Sequence, residues 1–211
     1  MVNINPAPLH IAQAVIAGLS AAMSVAILGT SAHTLHIYNT QQSTNPWWLY
    51  LWPQHFDVSG TKALVASATT TIVLSLVFLV FGLVPKFSLS NKHTLRALIS
   101  LGTTIPSALL ALVTVIYAHI INHNAPELDT IQTWTCRYRN SQPVVKQSAD
   151  LASSMANSNF DSLCMESKFA LYGTLTVFLL LSANMGLAVV TWLADKWAAR
   201  KTRKEMEAGQ S

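Results

Sequence analysis

The segment Phe169–Ala194 (FALYGTLTVFLLLSANMGLAVVTWLA) contains no Asp, Glu, Lys or Arg and is long enough to cross a lipid bilayer. A helix rises about 1.5 Å per residue, so roughly 20 apolar residues span a hydrocarbon core about 30 Å thick. Inside the bilayer the backbone must satisfy its own hydrogen bonds, which a helix does. The segment therefore predicts a transmembrane helix.

Three more uncharged segments of this kind precede it, at about 11–37, 63–84 and 97–121. The chain of 211 residues is 51% hydrophobic and only 10% charged, whereas soluble domains carry about 25% charged residues. Too little polar surface remains to cover a water-soluble globule. The predicted fold class is an all-α membrane protein, a four-transmembrane-helix bundle that forms a single domain over residues 1–211.

The first apolar segment has an alternative interpretation as a cleaved signal peptide, because Thr30, Ser31 and Ala32 are small enough for a cleavage site. Secretory signals begin with a basic region and have an apolar run of about 7 to 15 residues. No Lys or Arg precedes this segment, and its apolar run is longer. We interpret it as a retained helix; cleavage would leave three spans and an outer amino terminus.

Basic residues are divided unequally between the two sides of the predicted helices. Eight Lys and Arg residues follow spans two and four, against five in the other loops. Because Lys and Arg favour the cytoplasmic side, both termini are predicted to be cytoplasmic, in the plasma membrane or a secretory-pathway membrane. Residues 122–168 then form an outer loop and 195–211 a basic cytoplasmic tail. The net charge of +4 follows from this orientation, and no nucleic-acid partner is expected.

Cys136 and Cys164 are the only cysteines, and both lie in the longer, second outer loop. The outer side is oxidising, which favours a disulfide over the alternative of two free thiols. Closing a segment of 29 residues would stabilise the fold by about 3–4 kcal/mol. Four apolar residues are predicted to cluster around the bridge, with Ser141–Asn159 as the exposed part of the loop; they are Trp134, Tyr138, Phe160 and Leu163.

Two rows of small side chains recur every four residues on the predicted helices and would let a neighbouring backbone approach closely. Hydroxyl groups of the second row can bond across an interface or back to their own helix. We interpret both rows as packing faces within the bundle; a homo-oligomer interface through the same rows is the alternative. The rows are Ala14, Gly18, Ala22 and Ala26 on span one, and Ser67, Thr71 and Ser75 on span two.

Tryptophan residues concentrate near the predicted membrane surfaces. The short first outer loop contains Asn45–Pro53 (NPWWLYLWP), and indole rings favour the headgroup region. We therefore predict anchors at both interfaces; contact of the first loop with a sterol, another lipid or a partner is the alternative. The predicted anchors are Trp47, Trp48 and Trp52 at the outer interface and Trp192 and Trp197 at the inner one.

Four histidines lie at predicted outer helix ends, His33 and His36 on span one and His119 and His123 on span three. If these ends adjoin, the four imidazoles could bind a transition metal or haem. Hydrogen bonding to loop carbonyls is the favoured interpretation, so no metal and no cofactor are assigned. No catalytic motif such as Cys-x-x-Cys or Gly-x-Ser-x-Gly occurs, and the uncharged spans argue against an ion pump or coupled transporter.

Four spans, inside termini and a longer second outer loop with a cysteine pair resemble the MARVEL-type and occludin-like tetraspan proteins over the whole chain. Three segments are similar to uncharacterised four-span proteins of filamentous fungi, namely Trp52–Asp57 (WPQHFD), Asp129–Arg137 (DTIQTWTCR) and Phe169–Leu175 (FALYGTL). The resemblance implies a non-enzymatic organiser of membrane domains or scaffold for protein partners, surrounded by membrane lipids. A metal- or haem-binding oxidoreductase and an accessory subunit of a channel or transporter are the alternatives.

Overall fold

The computed structural model describes residues 7–44, 52, 56–83, 93–140 and 159–208. These residues form helices and two short β-strands, and the two strands pair with each other in parallel. The elements in chain order are α1 (Ala7–Thr44), β1 (Phe56–Asp57), α2 (Ser59–Leu83), α3 (His93–His123), β2 (Asp129–Thr130), α4 (Ile131–Tyr138) and α5 (Phe160–Ala208).

Four of the helices contain segments long and apolar enough to cross a membrane, which confirms the four apolar helices predicted from the sequence. The helices extend beyond the predicted spans, because polar residues such as Gln, Lys and Glu have good helix propensity and continue a helix past its apolar part. The segments are Pro8–Ser43, Ser59–Gly82, Thr94–His123 and Phe160–Arg200.

The chain divides into two compact units, which we name unit A and unit B. Unit A comprises Met1–Met23, Thr70–Leu109 and Val177–Ser211, and unit B comprises Ser24–Thr69 and Leu110–Thr176. The helices α1 and α3 begin in unit A and end in unit B, whereas α2 and α5 begin in unit B and end in unit A. This alternation is the connectivity expected of an up-and-down arrangement of helices.

Each long helix buries one narrow stripe of residues, which we call its seam. The buried positions alternate between spacings of four and three residues, the seven-residue repeat typical of helices that cross at about 20°. On α1 the seam is Gln13, Ala17, Ser20, Ser24, Ile27, Ser31, Thr34, Tyr38 and Gln41, and on α3 it includes Ser100, Thr104, Ser107, Ala111, Thr114, Ala118 and Ile121.

The seams are rich in small polar side chains, whereas the exposed faces are rich in large apolar ones. Several of the buried hydroxyls bond back to the carbonyl four residues earlier, as Thr104 Oγ1 does to Ser100 O at 2.6 Å. Outside, Ile11 is 66% exposed and Val113 is 60% exposed. A water-soluble bundle has the opposite distribution. This one matches helices whose outer faces contact lipid.

The two predicted rows of small residues lie in different environments. The row on α2 is buried and belongs to the seam of that helix. The row on α1 lies beside the seam of α1, and serines on the adjacent face are buried instead. Ser67, Thr71 and Ser75 are buried, Ala14 and Gly18 are half-buried, and Ala22 and Ala26 are exposed.

Candidate functional site

The predicted disulfide is present in unit B, between Cys136 on α4 and Cys164 on α5, with the two Cα atoms 4.8 Å apart. The helix α4 begins with a capping box, in which the Thr130 hydroxyl accepts from Thr133 N and the Thr133 hydroxyl accepts from Thr130 N. Capping satisfies backbone donors at the start of this eight-residue helix. The bond therefore fastens a short, capped helix to the beginning of α5.

Beside the disulfide, unit B contains a cluster of apolar side chains. Its buried members are Tyr38, Trp52, Ile131, Phe160 and Leu163. Of the four residues predicted to surround the disulfide, two belong to this cluster and a third packs against it. The ring of the fourth lies against the ring of the third. They are Phe160 and Leu163 within the cluster, Trp134 packed against it, and Tyr138, whose ring centroid lies 4.4 Å from that of Trp134.

Trp52 lies inside this cluster and is only 5% exposed, which differs from its predicted place at the membrane interface. Its ring centroid lies 5.1 Å from that of Tyr38 and 5.4 Å from that of Phe160, and its Nε1 donates to Gln41 Oε1 at 3.1 Å. The protein thus supplies both the apolar contacts and the hydrogen-bond partner that an indole finds among lipid headgroups.

The other predicted anchors are in varied positions. Trp192 is half-buried, with Lys196 Nζ 4.2 Å from its ring centroid, and Trp197 is 68% exposed. Trp47 and Trp48 lie outside the described residues, as do residues 141–158 of the predicted exposed loop. The role of Trp47 and Trp48 as membrane anchors stays a prediction from the sequence.

The parallel pairing of β1 with β2 joins the segment before α2 to the segment before α4. Phe56 is opposite Asp129 and Asp57 is opposite Thr130. Asp57 Oδ1 also accepts from Ser59 N at 2.6 Å at the start of α2. This pairing could not be predicted from the sequence, because its partners are distant in the chain and each strand is only two residues long.

A small polar cavity in unit B lies under this pairing. Asn122 is its central residue: its Nδ2 donates to Gln132 Oε1 at 3.0 Å, and its Oδ1 accepts from the Thr130 hydroxyl at 2.7 Å. Ser31 Oγ is buried there and has no hydrogen-bond partner among the described residues. The cavity volume is about 20 Å³, and a water molecule needs about 10–15 Å³. The site fits one water.

The four predicted outer histidines do not form a ligand cluster. His33 Nδ1 lies 2.8 Å from Glu166 Oε2, and all four histidines are exposed. In the part of the chain that the structure describes, no three His, Cys, Asp or Glu side chains form a group suited to a metal ion. A metal or haem site at His33, His36, His119 and His123 stays an alternative from the sequence.

Unit A contains a second polar group that the sequence interpretation missed. His10 Nε2 lies 3.6 Å from Asp195 Oδ1, and the Asp195 side chain is 4% exposed. Arg96, Gln13 and Ser100 line the same cavity of about 10 Å³. From the sequence, Arg96 counted only among the basic residues that set the orientation, and Asp195 had no assigned role. Their positions, one residue beyond the ends of the predicted spans, were the available signal.

A larger groove in unit A adjoins this polar group and has a volume of about 380 Å³. Its walls are mainly apolar and come from α1 and α2, and one cation from α3 lines it as well. The lining residues are His10, Ile11, Ala14, Val15, Phe78, Leu79, Gly82 and Arg96.

Compared with protein families, curated proteins and solved structures, the chain matches none. The resemblance to MARVEL-type and occludin-like proteins stays a prediction.

Proposed function

We propose that the protein is a non-enzymatic tetraspan membrane protein that organises a membrane domain or scaffolds partner proteins. One observation carries the proposal: the buried seams hold Ser and Thr, while the exposed faces hold Val, Leu and Ile. Contiguous apolar faces of this kind are rare on proteins in water and mark surfaces that lipid or a partner covers. Small polar seams are the means by which helices associate in a bilayer.

The volumes of the cavities support a non-enzymatic role. The cavities around Asn122, around the pair of His10 and Asp195, and beside Asn184 measure about 10–20 Å³. Pockets that enclose small-molecule substrates measure roughly 300–1,000 Å³. These three cavities therefore have room for water but none for a substrate. The groove of about 380 Å³, which shares His10 and Arg96 with the second cavity, is large enough for a small molecule.

The disulfide and the basic residues support the orientation. Disulfides form on the oxidising side of a membrane, so the bond between Cys136 and Cys164 supports an outer or lumenal position for both. The eight basic residues after the second and fourth spans favour cytoplasmic termini. In this arrangement the first outer loop is short and the second is longer and closed by the disulfide.

The exposed part of the small-residue row on α1 supports contact with another helix. Ala22 and Ala26 are exposed on a helix face without bulky side chains at these positions, so the backbone of a neighbouring helix can approach them closely. A second copy of the chain or a partner's transmembrane helix would fit this face. The homo-oligomer predicted from the sequence is thus kept as part of the proposal.

A reporter fused after Ser211 is expected to be protected from external protease in intact cells, because the strongest basic cluster follows the last apolar segment. A cleavage site inserted within residues 141–158 of the same fusion is the matched control and should be cut. Cleavage of the reporter at Ser211 would contradict the proposed orientation.

Native mass spectrometry of gently solubilised protein is expected to show complexes with a second copy or a protein partner, and no stoichiometric metal. Exposed apolar helix faces favour such complexes, and the described residues contain no cluster of His, Cys, Asp or Glu suited to an ion. A monomer that carries one metal equivalent, lost in the double variant His33→Ala and His119→Ala, would favour the oxidoreductase alternative.

A further inference from the structure

We propose that the groove in unit A binds one anionic glycerophospholipid, with the lipid phosphate at Arg96 and one acyl chain against α1 and α2. The inference rests on the proposed function, because a bilayer must supply the lipid. It adds a specific ligand and a defined site to the general expectation that membrane lipids surround the helices.

The positions of the lining residues give the groove a polar end and an apolar body. His10 lies in the first turn of α1, Arg96 in the first turn of α3 and Gly82 in the last turn of α2. Val15 and Phe78 lie about one turn further into their helices. A lipid has the same order, with a charged headgroup at the membrane surface and a chain that runs inward.

The apolar body suits part of an acyl chain. Ile11 is 66% exposed and Val15 is 54% exposed, while Ala14 and Gly82 leave a recess between larger neighbours. The volume of about 380 Å³ falls within the range of small-molecule sites. From Ile11 to Val15 the helix rises about 6 Å, so the recess holds one section of a chain. All phospholipids have such chains, so selectivity must come from the headgroup.

Arg96 supplies the charge that selects the headgroup. It makes no hydrogen bond and no ion pair within 4 Å to any residue that the structure describes. Asp195 is the acidic residue that acts on it, and this carboxylate lies 3.6 Å from His10 Nε2. A guanidinium has five N–H donors in a fork that fits two phosphate oxygens. A lipid phosphate would accept hydrogen bonds from the N–H groups of Arg96, to which the described residues supply no acceptor.

Two exposed basic residues of the same unit favour an anionic lipid over a zwitterionic one. Lys196 and Arg200 are exposed on the same unit, close in sequence to Asp195. Basic residues near a membrane surface attract anionic headgroups. They repel the ammonium group of a zwitterionic headgroup, so the phosphate of phosphatidylcholine would bind Arg96 less well.

The test is native mass spectrometry of the full chain from micelles that contain phosphatidylglycerol and phosphatidylcholine with identical acyl chains in equal amounts. We expect one phosphatidylglycerol per chain and about a tenfold preference over phosphatidylcholine, because the basic residues repel the ammonium group of phosphatidylcholine. Equal retention of the two lipids would overturn the proposal. Displacement by an equal concentration of soluble glycerol phosphate would also overturn it, since the site would then bind free phosphate.

Two substitutions probe the two ends of the site. Arg96→Gln removes the cation and should lower phosphatidylglycerol retention about tenfold. Gly82→Leu should lower it at least about fivefold, since a Cβ there meets no protein atom within 4 Å and the side chain would enter the groove. The matched controls are Arg139→Gln, an exposed cation of unit B, and Gly102→Leu; Gly102 is also exposed with open space beside its Cα.

Lipid retention unchanged in Gly82→Leu, or lowered equally by Gly102→Leu, would show that the groove is not the site. Thermal melting of each variant checks that it is folded, and Arg96→Lys, which keeps the charge, should retain part of the preference. Alkaline carbonate extraction of the same membranes separates the two proposals. A chain that stays in the membrane without preferring phosphatidylglycerol contradicts the lipid site alone, whereas a chain that is extracted contradicts the membrane function.

Discussion

Replacing Cys136 with serine is expected to lower the free energy of unfolding by about 3–4 kcal/mol and the melting temperature by about 10 °C. The bond connects residues 28 positions apart, and without it the unfolded segment gains conformational freedom. Thermal melting of purified protein without reductant measures the change. Non-reducing mass spectrometry of the unaltered protein should recover the cross-linked peptides.

The loss should be concentrated in unit B. Cys164 is fully buried. Without the bond, α4 is still held by the packing of Ile131 and Trp134 in the apolar cluster and by the hydrogen bond of its Gln132 to Asn122. Cys164→Ser should have the same effect, and the double variant should cost little more, since all three remove one bond. Thiols that alkylate readily in fresh membranes would contradict the prediction.

The features predicted correctly from the sequence are those fixed by local composition. An uncharged run such as Phe169–Ala194 forms an apolar helix whatever its neighbours are, because length and composition decide it. The disulfide followed from two cysteines in one loop on an oxidising side. Both arguments use only residues close together in the chain or the properties of a compartment.

The seam of α1 shows the limit of this reasoning. Alanine and serine are both small, so the row through Ala22 and the adjacent face with Ser20 and Ser24 are equally able to pack. Which face is buried depends on the helices that meet it. The spacing of four and three residues along Ser20, Ser24, Ile27 and Ser31 was present in the sequence and favoured the seam that the structure has.

Contacts between distant residues could not be predicted from one sequence. The pairing of Phe56 with Asp129 and the contact of His33 with Glu166 depend on where loops return in space. The same holds for Arg96, whose role as a lining residue of the groove requires α1, α2 and α3 to be placed together. From the sequence alone, such residues could be identified only as charged residues at helix ends.

Replacing Trp52 with alanine is expected to lower the free energy of unfolding by about 3–5 kcal/mol, the usual cost of removing a buried tryptophan. The indole is 5% exposed and contacts the rings of Tyr38, Phe56 and Phe160. Its removal leaves a cavity among them and takes away the hydrogen bond to Gln41. Thermal melting in detergent, with reductant absent, measures the loss.

Trp197→Ala is the matched control, because that ring is 68% exposed and its removal should change the free energy of unfolding by less than about 0.5 kcal/mol. Trp52→Phe should fall between the two, since it keeps an aromatic ring but loses the donor to Gln41. The comparison separates packing from membrane anchoring. An interfacial anchor would lose depth in the bilayer without losing stability, so equal small effects of both alanine variants would contradict the packing role of Trp52. A large loss in Trp52→Ala alone would mean that this indole holds α1, the segment before α2 and the start of α5 together within unit B.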